Sequence, residues 1–452
     1  IDNFKCFRRK MFFDFLKGYD KMAKEKKVAV ISAGVSRNDL HRFENQEELV
    51  AEAVKEALDD CPELSLEDID TSVFSYFSDH FEGQLAMHWI LNDYIGLTPR
   101  CTMRIENGGA GPGTAIRVGY SQIASGLSDV CIVPGVEKQG EVRPATANMF
   151  IAEAADTDFE VPVGGYYIAF YGAMATRHMY LYGTTEEDFA TIAVKNRNNS
   201  LENPYAQWLR TYGKPIDVDD VLNSRMLAYP MKVLDCSLLS EGASCLVLAS
   251  ADVARKYTDE PVWITGVGTA SDMMRPGDRI DNPNWSDKRF SYPEAKVPYP
   301  DYAKRPRAIY PEMSNFGAVR EASRQAYRMA GIYEPYKEID VVELHDAYDT
   351  SELQCYEDLG FCDVGHGKDL VREGQVEIGG DIPVNPSGGL EGFGHPVGST
   401  GIQQCATLFW QLREEIHEKF KSSKNQIDGA RVALNHSHGG TGTAINVLIF
   451  ER

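Results

Sequence analysis

The chain has 452 residues, 43% of them hydrophobic, which is long for one simple core and predicts two or three domains or a duplicated unit. Lys and Arg total 46 against 67 Asp and Glu, and the resulting charge of −21 argues against nucleic acid and anionic membrane surfaces as partners. No apolar run reaches the roughly 18 residues of a membrane span, and the nine cysteines are scattered without a CxxC, which predicts free thiols in a reducing cytoplasm and neither a disulfide framework nor a metal site.

Residues 1–26 read as an N-terminal extension outside the core. Phe4, Phe7, Phe12 and Phe13 are interleaved with Lys5, Arg8, Arg9 and Lys10, as in a basic surface helix or as in sequence upstream of a chain that starts at Met22. The second reading is favoured, because a strand, Val28 to Ala33, follows at once. A helix is expected over Glu47 to Leu58, a strand over Ser72 to Phe77, a helix over Gln84 to Tyr94 and a strand over Cys101 to Ile105. After a glycine-rich turn, Asn107 to Gly113, come a helix (Thr114 to Ser125) and a strand (Val130 to Val136). This alternation predicts an α/β fold with a largely parallel sheet.

From residue 141 to 230 the pattern loosens, and Tyr, Met, Asn and Arg cluster, Tyr166, Tyr167 and Tyr171 among them. This is read as an inserted, mainly helical subdomain. Strand character returns at Cys245 to Ala249. A second alternating series starts at Val262: a helix from Ala318, a strand from Asp340 to Leu344, helices over Ser351 to Leu359 and Thr400 to Arg413, and closing strands at Arg431 to Leu434 and Ala444 to Phe450. The halves are therefore 27–140 with 231–257, and 258–452, one βα plan used twice, with a Pro/Tyr/Arg-rich insertion at 281–309 in the second.

Four stretches carry chemistry. Asn385 to Gly401 is rich in Gly and Pro and holds one imidazole, His395, between Gly394 and Pro396, just ahead of a helix start where developing negative charge is favoured. Glu343-Leu344-His345-Asp346-Ala347-Tyr348 ends a strand. Leu434-Asn435-His436-Ser437-His438-Gly439-Gly440 is placed in the loop between the last two strands, and Asp235 to Ala243 precedes the returning strand of the first half. In this order they resemble the thiolase superfamily, and more narrowly the sterol-carrier-protein type and archaeal thiolases, with their HDxF, GHP and HNxGG motifs. The resemblance spans about Lys27 to Arg452.

It implies a five-layered αβαβα fold of two similar halves with a loop domain inserted in the first. It further implies an acyl-CoA substrate, with coenzyme A as part of that substrate and no tightly bound cofactor, and a homodimer. His345 and His395 would form an oxyanion hole and His436 would be the acid/base, while His438 reads as structural. Gly108, Asn385, Ser387, Gly394 and Gly440 would support the loops. No CoA-binding residue is assigned.

One position departs from the family. Counting back from Tyr120 along the Ala115–Tyr120 helix puts the nucleophilic cysteine's place at Gly109, and glycine forms no acyl-enzyme. Cys101 lies eight residues too early. What survives is an apparatus for an enolate, which suits aldol or retro-aldol chemistry. His436 or Tyr348 would then be the base, Tyr348 standing where the family has Phe; a packed ring is the plainer reading of Tyr348, since a tyrosine titrates near 10. Cys-less members of the superfamily that act as steroid side-chain aldolases work beside a small OB-fold/zinc-ribbon protein, so such a partner is expected. The alternatives are an acyltransferase of thiolase type with an unrecognised nucleophile, and a non-catalytic acyl-CoA-binding scaffold.

Overall fold

Nine strands form one sheet in the computed structural model, which describes residues 27–279 and 313–452. They are β1 (Val28–Val35), β2 (Thr71–Ser75), β3 (Cys101–Ile105), β4 (Val130–Lys138), β5 (Glu241–Ser250), β6 (Val262–Ser271), β7 (Val341–Leu344), β8 (Val432–Gly439) and β9 (Ala444–Glu451). The helices that matter for the site are α1 (Gln46–Asp60), α2 (Gly111–Ala124), α3 (Tyr167–Tyr182), α4 (Glu186–Asn199), α5 (Gly317–Ala330), α6 (Asp349–Asp358) and α7 (Thr400–Leu412). The extension 1–26 and the insertion 281–309 lie outside the described residues.

Strand order is β3-β2-β4-β5-β1-β6-β9-β8-β7. The first five strands are thus arranged 3-2-4-5-1. In the second half β6, β7, β8 and β9 take places 1, 2, 4 and 5 of the same plan, and Val384 stands for the third strand by bridging Val342 of β7 in parallel. The halves join where Ala29 and Val30 of β1 pair with Trp263 and Val262 of β6. This is the duplication expected from the strand–helix pattern.

The sheet is mixed, which corrects the expectation of a largely parallel one. β2–β3, β2–β4 and β7–β8 are parallel. β5 and β9 each run antiparallel to both neighbours. For β9 the reason is the connection, a tight turn after β8 that is too short for the crossover a parallel pair needs, whereas the long insertion ahead of β5 leaves its direction free.

Alternate residues of β1 enter different cores, as a pleated strand requires. Val28 and Val30 pack with Ile116 of α2 and Ile402 of α7, whereas Ala29 and Ile31 pack with Leu49, Val50 and Ala53 of α1. Helix α1 is held at its start by a capping box of Asn45 and Glu48. Helices α2 and α7 touch each other and strands of both halves, so they form the middle layer; α1 covers the first half and α5 the second. The five layers are α1, sheet, α2 with α7, sheet, α5. A Cβ at Gly34 would sit 2.1 Å from the Ala53 carbonyl oxygen, and one at Gly268 would sit 1.8 Å from that of Ala322. Glycine lets a helix lie directly on the first strand of each half.

Two local readings change. Helix α2 starts at Gly111, not Thr114, with Pro112 in the first turn, where its missing N–H costs nothing. Asn435 to Gly439 is not loop but the second half of β8, paired with Leu448 to Ala444. Residues 141–230 are mainly helical, with a short hairpin of Met226–Ala228 and Met231–Lys232 at the end. Among the described residues, no helix is long and apolar enough to cross a membrane.

Candidate active site

The site forms where β7 and β8 end beside the Gly109 turn and the His395 loop. Register does the first part of the work. Leu344 pairs with His436, so the next residue, His345, directs its backbone N–H to Nδ1 of His436 at 3.5 Å. Because β8 continues through Gly439, His436 and His438 are two apart on one strand and share a face. The rings meet closely: His345 to His395 at 5.0 Å and 87°, His345 to His438 at 5.6 Å and 15°, and His436 to His438 at 5.6 Å and 87°. His345, His395 and His436 therefore come together. His438 lies beside them.

The His395 loop is clamped from both sides. The His395 N–H donates to Ser240 Oγ at 2.8 Å, and Nδ1 lies 2.8 Å from Thr400 Oγ1 at the start of α7. Gly394 has φ +115°, and a Cβ there would meet Ser240 Oγ at 2.7 Å, so glycine is required. Leu239 bridges His395 and Cys236 bridges Tyr348, which places the Asp235–Ala243 stretch along the floor of the site.

Gly109 lies against the histidines and has no room for a side chain. A Cβ there would lie 2.4 Å from the His438 carbonyl oxygen and 3.0 Å from Cε1 of His345. Its neighbour Gly108 has φ +56°. Cys101 is exposed at the far end of β3 from this turn.

Asn385 and Ser387 act through other residues. Asn385 Oδ1 accepts the Leu344 N–H at 2.8 Å and its amide donates to Glu352 at 2.8 Å. Ser387 gives its N–H and hydroxyl to the two oxygens of Glu343, at 3.0 and 2.8 Å. Both fix the end of β7 that carries His345. Helix α4 locks the same region: Lys195 pairs with Glu352 at 2.7 Å, Asn196 donates to Asp346 at 2.9 Å, and Arg197 donates to the Glu391 carbonyl at 2.7 Å.

Sequence reasoning gave no role to two residues that prove to be central. Tyr171 of α3 places its hydroxyl 2.9 Å from Nε2 of His438 and donates to the Gly440 carbonyl at 3.3 Å. Its ring stacks on Tyr348 at 4.5 Å and 28°. Cys355, in the middle of α6, puts Sγ 3.9 Å from Nδ1 of His436. The crowding of Tyr and Met at 166–182 was the only sequence signal for the first, and a lone helical cysteine gave none for the second.

Burial fixes the charge state. It pushes His395 and His436 down to about 3. His345 and His438 fall well below the ordinary value, first through burial and then through neighbouring charges, the other histidines among them. All four rings are neutral at physiological pH. Tyr348 is pushed well above 10 by burial, so it holds its proton. Tautomers follow from partners. Nδ1 of His436 accepts the His345 N–H, so its proton is on Nε2, a buried nitrogen without a partner. Thr400 Oγ1 donates to the Pro396 carbonyl at 3.0 Å, so Nδ1–H of His395 donates to that hydroxyl and Nε2 is the acceptor. His395 is the most exposed of the four residues, partly buried where the other three are buried. The site thus offers N–H donors and an imidazole acceptor in a dry setting, with no nucleophile at residue 109.

The chain matches the thiolase N-terminal domain over residues 28–252 and the thiolase C-terminal domain-like family over residues 307–452. It is 38% identical to the acetyl-CoA acetyltransferase of Methanothermobacter thermautotrophicus, over 80% of this chain and 83% of that one. It is 31% identical to sterol carrier protein 2 of Bos taurus, over 94% of this chain and 72% of that one. Among solved structures, the Ltp2-ChsH2(DUF35) aldolase superposes with a TM-score of 0.73 at 24% identity, covering 94% of this chain and 98% of the other.

Proposed function

The chain belongs to the thiolase family, and from that membership and its own departure at residue 109 we propose an enzyme that breaks or makes the carbon–carbon bond next to an acyl-CoA thioester through an enolate, in the aldol or retro-aldol sense, without an acyl-enzyme. The observation that carries this reading is the lack of space for any side chain at Gly109. A thiolase cycle needs a thiol there to take the acyl group. An enolate needs only donors for the thioester oxygen and a base.

In the cleavage direction, Nε2 of His395 takes the proton of the β-hydroxyl. The Cα–Cβ bond breaks, the hydroxyl carbon becomes a carbonyl, and the bonding pair moves into the thioester as an enolate. Nε2–H of His436 and the ring of His345 hold the enolate oxygen. A proton returned to Cα gives the shorter acyl-CoA. Tyr348, protonated, serves as a donor beside the leaving carbonyl. This moves the base from His436 to His395, because the tautomers favour it. Coenzyme A enters as part of the substrate, and no other cofactor is proposed.

The acetyltransferase relatives favour a second reading, a thiolase-type acyltransferase. It needs a nucleophile, and the thiol that touches the histidines is Cys355, fully buried. A non-catalytic acyl-CoA-binding subunit is the third. A homodimer and a small OB-fold/zinc-ribbon partner, in the cytoplasm, are proposed from the resemblance, the partner also from the name of the aldolase with which the fold superposes.

The test supplies β-hydroxyacyl-CoA, or β-ketoacyl-CoA with CoA, with and without a co-expressed OB-fold partner. An aldehyde or ketone with a shorter acyl-CoA supports the aldolase reading. Thiolysis of the β-ketoacyl-CoA supports the acyltransferase. Neither product in any arm leaves the binding subunit.

A further inference from the structure

Three side chains at the inner wall of the site have the donor set of a soft-metal centre. Cys355 Sγ and one ring nitrogen each from His436 and His438 lie within 4.8 Å of one another, and all three residues are buried. They come from two elements. His436 and His438 share a face of β8, and α6 brings Cys355 across from it. Hydrogen bonding leaves one lone pair free, on His438, and on His436 only the long 3.5 Å bond from the His345 N–H competes with a metal. Nε2 of His438 is taken up by Tyr171, so its other nitrogen, Nδ1, is buried without a partner. Nδ1 of His436 faces Cys355 at 3.9 Å. A zinc tetrahedron with Zn–S about 2.3 Å and Zn–N about 2.0–2.1 Å sets its ligand atoms roughly 3.3–3.6 Å apart, so closing on the ion takes about an ångström of side-chain movement.

We propose that Cys355, His436 and His438 form a binding site for a thiophilic divalent cation of the Zn2+ class, reached through the active site. Two imidazoles and a thiolate fit a borderline-soft ion and disfavour Mg2+ or Ca2+, which take oxygen ligands. The fourth position falls to water or to a substrate atom. On binding, the Cys355 thiol gives its proton to solvent, a sulfur–metal bond forms, and the two neutral imidazoles bind without losing a proton; one proton leaves per ion. This site was not foreseen from the scattered cysteines, because its ligands are 81 residues apart in the chain. A consequence rests on the reaction proposed above: His436 belongs to both sites, so an ion on Nδ1 displaces the His345 N–H, shifts the ring that carries the Nε2–H donor and lowers turnover reversibly.

The test is metal titration of the full-length protein with Cd2+ and Zn2+ in chelator-cleaned buffer. Readouts are stoichiometry by equilibrium dialysis, the ultraviolet thiolate-to-cadmium charge-transfer band, and protons released. One equivalent with the band and one proton is expected. Cys355→Ser should abolish the band and weaken binding more than about 100-fold, beyond what losing an outer partner of a ligand costs. His438→Gln should weaken binding as well, while Cys101→Ser, at an exposed thiol away from the site, should leave both unchanged. Absence of stoichiometric binding, or a band that survives in Cys355→Ser, overturns the site. A site that binds as expected in a protein with no turnover on any acyl-CoA sinks the reaction and leaves the site standing.

Discussion

A side-chain carbon on residue 109 would lie 2.4 Å from the carbonyl oxygen of His438. A side-chain carbon and a carbonyl oxygen do not tolerate that distance, so the backbone of β8 occupies the space a nucleophile would need. Gly109→Cys should therefore fail to create an acyl-enzyme. Overpacking of this kind costs about 1–3 kcal/mol, so the variant should melt lower and lose activity. Gly109→Ala should do the same without the thiol. Melting curves and intact mass after acyl-CoA exposure check both; a Gly109→Cys protein that gained a stable acyl adduct and thiolysis would show that the turn adapts.

The tautomers separate the roles of two histidines. Glutamine can donate a hydrogen bond but cannot shuttle a proton. His395→Gln should cost about 10²–10⁴-fold in kcat, the range for a lost acid/base. His436→Gln keeps a donor and should cost less. Reversed losses in kcat would return the base to His436.

The histidines are neutral through burial, with His395 and His436 held at about 3. The pH profile of kcat/KM should then lack the acid limb near 6.5 that an ordinary imidazole gives and should stay level from about pH 5 to 8 so far as these groups decide it. A limb near 6.5 that disappears in His395→Gln would contradict the dry site.

Glu343 is pushed up to about 8 by burial, despite its two bonds from Ser387. A carboxyl whose folded value lies above its unfolded value of about 4.3 contributes stability at low pH and loses it as pH rises through the folded value. The melting temperature should fall between about pH 4 and 8 so far as this group decides it, and Glu343→Gln, which mimics the protonated form, should flatten that slope. The histidines act in the opposite sense: their folded values are depressed, so their share is complete above about 6.5 and is lost as pH falls toward 3.

Tyr171 carries the inserted segment into the site through its bond to His438. Tyr171→Phe keeps the stacked ring and removes the hydroxyl's two hydrogen bonds, to His438 and to the Gly440 carbonyl, each worth about 0.5–1.5 kcal/mol. A loss of up to about tenfold in kcat with KM unchanged is expected. A rise in KM alone would place Tyr171 in substrate binding instead.

Much of this was legible in the sequence because its signals are local. His395 sits in a stretch that Gly and Pro shape by themselves, His345 marks a strand end, and Gly109 could be reached by counting along α2. Strand direction was not legible, since it depends on what connects β4 to β5 and β8 to β9. The Asn435–Gly439 stretch looked like loop because its residues are small and polar, and only pairing with β9 makes it strand. Tyr171 meets His438 across 267 residues, a contact no single-sequence pattern encodes.

The central claim is that carbon–carbon bond chemistry here proceeds without an acyl-enzyme. The most direct measurement is rapid-quench intact-mass spectrometry during turnover of a β-hydroxyacyl-CoA, with the released carbonyl compound and acyl-CoA quantified from the same samples. The account predicts stoichiometric carbonyl and shortened acyl-CoA with the protein mass unchanged at every time point. An acyl mass increment that appears and decays at the turnover rate, above all one that is lost in Cys355→Ser, would contradict it.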